Sequence, residues 1–162
     1  MTSEDLIPKS KHDLETVLAL KHSGTEAAIR ILPQLLTWLQ DINWPVAAPL
    51  ADLLVEVGEP LIPHLRSILS SDDDMWIYWV LQFVVAHLPT ALQQQLEPEL
   101  QALVHQGERA ENDIIALGLL AGMPSTGVEL LRLRVRRRRQ ALLDMADELA
   151  DIERQLPTAS DH

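Results

Sequence analysis

The chain contains no cysteine among its 162 residues. This absence excludes a disulfide scaffold, a thiol nucleophile, and every zinc or iron–sulfur site that is built on thiolates. Basic residues are also few, because Lys and Arg number 13 against 24 Asp and Glu, for a formal net charge of -11. A protein this acidic repels phosphate backbones, so the composition argues against nucleic acid as a partner.

Long apolar runs are missing as well. The longest, at residues 77–88 and 114–123, fall short of the ~20 apolar residues that a membrane-spanning helix needs. The amino-terminal segment has acidic residues where a secretory signal would have a basic start, so we expect no signal peptide. We therefore predict a cytoplasmic protein without a membrane partner.

Motifs that carry chemistry are absent too. The sequence has no G-x-S-x-G nucleophile motif, no phosphate-binding loop and no G-x-G-x-x-G fingerprint, and its six histidines are scattered. The acidic run Asp72–Asp74 lacks the alternating ligand spacing of a calcium loop. We predict no catalytic residue, no cofactor and no metal, and a protein that is not an enzyme.

The apolar residues that are present recur at helical spacing, and strand-type alternation is absent. The sequence therefore predicts an all-α fold, with Asp13 as the N-cap of its first helix and Gly58 as the stop of its third. The eight predicted helices cover residues 13–22, 26–40, 44–57, 59–69, 74–88, 90–106, 111–122 and 125–156.

An internal repeat relates two of the predicted helix pairs. The segment that begins at Pro33 aligns with the segment that begins at Pro63, at an offset of 30 that becomes 31 after one inserted residue. The matched positions then include Asp41 with Asp72, Val46 with Ile77, Leu50 with Leu81, Leu53 with Val84, and Val57 with Leu88. One helix pair cannot bury its apolar face alone, so this repeat predicts antiparallel pairs stacked into a short α-solenoid.

Three motifs stand where predicted helices begin: Lys11-His-Asp13, Asn43-Trp-Pro-Val46 and Asp72-Asp-Asp-Met-Trp76. In these motifs and in their spacing, residues 5–106 resemble a small bacterial domain family of HEAT-like fold that has no assigned activity. The resemblance implies a HEAT-like helical repeat domain, which we place at residues 1–124. A long charged C-terminal helix follows at 125–156, outside the resemblance, and we expect a disordered tail at 157–162.

The aromatic residues, which are only six, all lie between positions 38 and 83, and two of the four tryptophans directly follow acidic turns. Two compatible interpretations exist for these turns. Their carboxylates cap helices while the tryptophans fill the core, or they form an exposed strip that binds a partner. The candidate partner-binding residues are Asp41, Asn43, Trp44, Asp72, Asp73, Asp74, Trp76 and Tyr78.

The predicted C-terminal helix has apolar residues at heptad spacing from Val128 to Leu156, broken once at Arg138. Six arginines lie between positions 132 and 139, and acidic residues follow them. Three interpretations stay open: the helix folds back on the repeat domain, pairs with a second copy, or contacts an anionic partner. The candidate oligomerisation or anion-contact residues are Arg132, Arg136, Arg138, Arg139, Leu142 and Leu149.

The sequence as a whole predicts a non-enzymatic protein–protein interaction module. An acidic body that carries tryptophans suits a basic protein partner, and one version is an immunity or antitoxin-like protein that covers a basic toxin. Two alternatives belong to other functional classes. One is a homo-oligomeric structural protein, a homodimer in its simplest form, assembled through the C-terminal helix; the other is an enzyme on a helical-repeat scaffold.

Overall fold

The computed structural model describes residues 3–106, 111–124 and 127–156. These residues form ten α-helices with short 3₁₀ segments and contain no β-strand, which confirms the all-α prediction. The chain divides into two compact units, Met1–Pro124 and Ser125–His162. The predicted disordered tail at 157–162 lies outside the described residues.

The first unit contains nine of these helices. They are α1 (Leu14–Ser23), α2 (Thr25–Ile29), α3 (Leu32–Leu36), α4 (Ala47–Val57), α5 (Ile62–Leu69), α6 (Asp74–Phe83), α7 (Thr90–Gln94), α8 (Glu97–Gln106) and α9 (Asn112–Ala121). The 3₁₀ segments are Ser3–Leu6, Thr37–Gln40, Glu59–Leu61 and Val85–His87.

Several helices that the sequence predicts as continuous are interrupted. The predicted helix 26–40 is wrong as a single element, because it is divided into α2, α3 and a 3₁₀ segment. Pro33 explains the first break: it has no N–H to continue the helix, and it occupies the first turn of α3, where none is needed. Pro63 and Pro98 occupy the same kind of position, one in α5 and the other in α8.

Three other helix boundaries can be compared with the prediction: both ends of α4 and the end of α6. The helix predicted from residue 44 begins at Ala47, because residues 42–46 form turns ahead of it. It ends at Gly58, as predicted, and this residue has φ 72°, a conformation that favours glycine. The helix predicted to reach Leu88 stops at Phe83, and Val84 after it leaves helical geometry with φ -120° and ψ -66°.

The helices of the first unit contact one another in two series. In one series, α1 contacts α4, α4 contacts α6, and α6 contacts α9. In the other, α3 and α5 share a small cavity of about 120 Å³, and α5 contacts α8. Arg66 of α5 links this second series, because its guanidinium donates to the Gln95 carbonyl at 2.8 Å and lies 3.6 Å from the Glu99 carboxylate.

The core between the two series is almost entirely aliphatic. The largest fully buried side chains are leucines and one isoleucine, and no aromatic side chain of the described residues is fully buried. Four apolar pairs of positions that the sequence repeat matches are buried in both copies. The pairs are Val46 with Ile77, Leu50 with Leu81, Leu53 with Val84, and Val57 with Leu88.

In the second unit, the residues that the structure describes form a single helix, α10 (Val128–Gln155), of 28 residues. At 1.5 Å per residue it is about 42 Å long. None of its residues is buried, and its apolar side chains are largely exposed. Among all the described helices, α10 included, none combines the length and the apolar character that crossing a membrane requires.

Candidate functional site

The turn before α1 is held by Asp13, the predicted N-cap. One carboxylate oxygen accepts the Thr16 N–H at 3.2 Å, and the other accepts the Thr16 hydroxyl and the Lys9 N–H, both at 2.9 Å. These bonds favour the ionised carboxylate, so the backbone N–H of Lys9, and then Thr16, lower the pKa of Asp13 below its usual value. The cap is therefore strongest when this group is charged.

The turn before α4 is closed differently, because its acidic residue does not cap the helix. Asp41, which is half-buried, accepts the Asn43 N–H at 2.9 Å and the Asn43 side-chain amide at 3.0 Å. The Trp44 N–H donates to the Asp41 carbonyl at 3.2 Å, and α4 itself has no side-chain cap. The capping interpretation is thus wrong for Asp41, whose carboxylate stabilises a local turn instead.

The turn before α6 contains the acidic run. Asp73 is the N-cap, and its carboxylate accepts the Trp76 N–H at 3.0 Å, so capping is confirmed here. Asp72 and Asp73 are exposed, whereas Asp74 is half-buried as the first residue of the helix. Their carboxylates lie at the positive end of the helix dipole, where negative charge is stabilised.

Three hydrogen bonds link residues at these helix starts to neighbouring parts of the first unit. The Val46 N–H before α4 donates to the Lys11 carbonyl before α1, at 3.3 Å. The Trp76 indole N–H in α6 donates to the Leu36 carbonyl at the end of α3, at 3.0 Å. The Asn112 side-chain amide in α9 donates to the Asp74 carbonyl at 3.0 Å. Two of these bonds join helix starts directly, α4 to α1 and α9 to α6, and the third anchors the start of α6 to the end of α3. The segment Thr37–Gln40, which follows α3 directly, contacts both α4 and α6. The turns before α1, α4, α6 and α9 are therefore joined by one connected series of contacts.

We call these connected turns the acidic edge. It brings together seven of the eight predicted partner-binding residues on the connected helix starts, and the eighth, Tyr78, lies one turn further along α6. Asn43, Asp72 and Asp73 are exposed, and the others are half-buried. Its residues are Asp13, Asp41, Asn43, Trp44, Asp72, Asp73, Asp74 and Trp76.

The aromatic residues pack edge to face and keep part of their surface exposed. Trp44 contacts Trp38 with ring centroids 5.6 Å apart and an angle of 71°. On α6, Tyr78 contacts Trp79 at 4.8 Å, and Trp79 contacts Phe83 at 6.0 Å. All are half-buried, so they offer ring surface to a partner as well as packing locally.

A shallow cavity of about 470 Å³ lies at the other end of α1, α4 and α6. Because side chains near the carboxyl ends of these helices line it together, and their amino ends follow one another along the acidic edge, the three helices run parallel. The cavity mixes both signs of charge with apolar surface. Its lining residues are Lys21, Asp52, Val55, Glu56, Phe83 and His87.

The candidate residues of α10 lie along that helix and are described within it alone. Leu142 and Leu149 are exposed, at 41% and 61%. Arg132, Arg136 and Arg139 are exposed and Arg138 is half-buried. Arg132 forms an ion pair with Glu129 at 3.0 Å, one turn earlier in the same helix.

Sequence reasoning missed two features of this region. Asn112, at the start of α9, is fully buried and provides the last of the three connecting hydrogen bonds. The sequence feature that could have indicated this role is the position of Asn112 shortly before a run of apolar residues. Trp79 and Phe83 were also missed as a pair, although their spacing of four residues places them on one face of a helix.

The described residues contain no group of three or more His, Asp or Glu side chains that could hold a metal ion. The acidic edge instead suits cationic side chains, because carboxylates form charge-assisted hydrogen bonds with Lys and Arg. The partly exposed tryptophan rings add surfaces on which a guanidinium or ammonium group stacks. The edge therefore places carboxylates and tryptophan ring faces close together on one surface.

Comparison with known families gives one match. The sequence profile of a family described as Domain of unknown function (DUF5071) matches residues 6–117. The matched range contains the acidic edge and ends within α9. No curated protein sequence matches the chain.

Proposed function

Since the chain belongs to the DUF5071 family, whose description carries no activity, we propose its function from the geometry of its first unit. We propose that this unit is a non-enzymatic module that binds a basic protein through the acidic edge. The observation that carries the proposal is a set of three hydrogen bonds, which join the start of α4 to that of α1, the start of α9 to that of α6, and the start of α6 to the end of α3.

As part of this proposal, the first unit folds as a short HEAT-like solenoid. Two series of helices support it, one containing α1, α4, α6 and α9, the other containing α3, α5 and α8. The sequence repeat supports it further, because Pro33 and Pro63 stand at matching positions in the first turns of α3 and α5. In such a stack, corresponding turns recur along one edge, so a repeated acidic turn produces a continuous acidic strip.

The charge distribution supports a basic partner. Residues 1–128 contain 17 acidic and 6 basic residues, so all of the excess negative charge belongs to the first unit. A surface with a negative electrostatic potential accelerates association with a positively charged partner. Exposed Asp72 and Asp73 then form hydrogen bonds with Lys or Arg, and partly exposed Trp44 provides a ring for stacking.

A concrete form of this function is that of an immunity or antitoxin-like protein, which neutralises a basic toxin by covering its surface. The acidic surface and the small size of the unit support this version. It predicts that the partner is a single basic protein bound at a fixed ratio, and that its toxicity is lost in the complex.

The experiment removes charge from the edge while preserving its local structure. Asp41→Asn together with Asp73→Asn keeps an oxygen for the Asn43 turn and for the α6 cap, because Asn is as good an N-cap as Asp. The matched control is Glu26→Gln together with Glu59→Gln, which removes the same charge at exposed positions in the first turns of other helical segments.

The immobilised chain is used to capture proteins from an extract of its native cells, followed by mass spectrometry. We expect one predominantly basic protein, captured by the wild type and by the control, and depleted roughly tenfold with the edge variant. High salt should release it. Equal capture by the edge variant and the control would contradict the role of the edge.

A further inference from the structure

We propose that α10 binds a second copy of itself in an antiparallel orientation, so that the protein is a homodimer through its C-terminal unit. This inference does not depend on the proposed function of the acidic edge. It rests on the apolar stripe of α10, on the separation of charge along the helix, and on the register in which the two agree.

The stripe consists of apolar residues at alternating intervals of three and four. In the carboxyl-terminal half it is continuous, and every member is more than two-fifths exposed. An apolar stripe with heptad spacing is the surface by which helices pair, since knobs on one helix fit holes on the other. Its exposed members are Val128, Val135, Leu142, Met145, Leu149, Ile152 and Leu156.

The distribution of charge favours an antiparallel pair over a parallel one. Arg132, Arg136, Arg137 and Arg139 are exposed in the amino-terminal half of α10. Of the six acidic residues of α10, Glu129 lies in the first turn and the other five lie in the carboxyl-terminal half. A parallel pair would place arginines beside arginines and acids beside acids, whereas an antiparallel pair places each basic half beside an acidic half. The exposed acidic residues of the carboxyl-terminal half are Asp144, Asp147, Glu148, Asp151 and Glu153.

The heptad also determines a register. In antiparallel pairs each a position faces a d position, so Leu142 packs against Met145 of the second copy, and Val135 packs against Ile152 of the second copy. This alignment brings Arg132 beside Glu153 of the second copy, and the pair occurs twice by symmetry. A shift of one heptad in one direction would bring Arg139 beside its own copy, which charge repulsion disfavours. A shift in the other direction would pair Arg139 with Glu153 of the second copy but would leave the residues before Arg138 without a facing helix, so the stripe would bury fewer layers.

Arg138 is the position where a charged side chain interrupts the stripe. In the favoured register it lies opposite Leu149 of the second copy. A long arginine stem packs along apolar surface, so this position is tolerated at a cost in affinity. We therefore expect a reversible dimer, whose population depends on protein concentration.

Two neighbouring leucines provide a matched test in the full chain. Leu142 lies in the stripe and is 41% exposed, whereas Leu143 lies outside it and is 47% exposed. Leu142→Asp should raise the dimer dissociation constant roughly tenfold or more, because each dimer loses two central contacts. Leu143→Asp should leave it nearly unchanged. Sedimentation equilibrium measures the constant, and circular dichroism checks that both variants keep their helix content.

Because the chain has no cysteine, disulfide trapping determines the orientation directly. Chains with Arg132→Cys and chains with Glu153→Cys, carrying tags of different mass, are oxidised separately and as a mixture. The antiparallel pair predicts a cross-linked product in the mixture that contains both tags, and little product in either single variant. A parallel pair in register keeps these two positions about 30 Å apart along the axis, so it predicts no product that contains both tags.

Each result of the sedimentation and cross-linking experiments either supports or overturns the proposed dimer. Concentration-dependent dimers with the predicted heterologous cross-link support the proposal. A wild-type monomer from micromolar to near-millimolar concentration overturns it, as does a dimer that is equally sensitive to Leu142→Asp and Leu143→Asp. Cross-linking between identical positions overturns the orientation.

Discussion

At the scale of single residues, the acidic turns combine structural and surface roles. Asp73 caps α6 through one carboxylate oxygen and is exposed at the same time. Asp41 closes its own turn with Asn43 instead of capping a helix. The sequence reveals that an acidic residue stands before a helix, but the helix start and the backbone angles of the turn decide which role it takes.

Removing the cap of α6 should destabilise the first unit without affecting the fold. Asp73→Ala should lower the free energy of unfolding by about 1 kcal/mol, because the Trp76 N–H loses its acceptor. Asp73→Asn should change it much less, since the amide oxygen still accepts this bond. Urea unfolding compares the three proteins, and an equal loss in both variants would show that charge, and not capping, stabilises the turn.

The cap of α1 predicts a dependence on pH. The hydrogen bonds from Lys9 and Thr16 lower the pKa of Asp13 in the folded protein below that of the unfolded chain, about 3.9. Ionised Asp13 therefore contributes stability above that pH, and the contribution is lost as the pH falls through the lowered folded value.

The comparison is between the wild type and Asp13→Asn, which removes the charge and one of the two acceptor oxygens. We expect the wild type to be more stable near neutral pH and the difference to shrink as the pH falls below about 4. Thermal unfolding across this range measures the difference. A difference that grows on acidification would contradict the account of this cap.

At the scale of elements, periodicity predicts where helices lie better than where they break. The single helix expected at 26–40 is three shorter segments, because Pro33 cannot continue a helix from Ile29 and begins a new one. The break at Val84 has no proline within it, and only the packed structure reveals it. The residues inside a helix can be predicted from the local spacing of apolar residues. The break at Val84, by contrast, depends on how neighbouring turns pack.

The indole N–H of Trp76 connects α6 to the end of α3, so its removal should cost stability. Trp76→Phe should lower the free energy of unfolding by about 1 kcal/mol, because the bond to the Leu36 carbonyl is lost. Trp79→Phe is the matched control, since it removes an indole from the next turn of the same helix. Equal losses in urea unfolding would indicate that ring volume, and not the hydrogen bond, explains the effect.

At the scale of the whole molecule, the sequence predicted the components of the acidic edge but not the bonds that join them. The repeat placed Asp41 and Asp72 at equivalent positions, and stacked repeats imply that equivalent turns are neighbours. The contacts from Val46 to Lys11 and from Asn112 to Asp74 connect residues distant in the chain, so only the fold reveals them.

The two units divide the charge of the protein between them. The first carries the excess of acidic residues, while residues 129–162 contain seven basic and seven acidic residues. The two proposed interactions therefore differ in kind: a basic protein binds the first unit, and a second copy binds α10. Because they involve different residues, variants of one surface should leave the other interaction intact.

The most direct test of the acidic edge is the association rate with the captured partner, measured for the wild type, for Asp41→Asn with Asp73→Asn, and for the Glu26→Gln with Glu59→Gln control. The account predicts that at low salt the edge variant associates roughly tenfold more slowly than the control, and that raising the salt removes this difference. Equal rates for the edge variant and the control at low salt would contradict the claim that this edge recognises the partner.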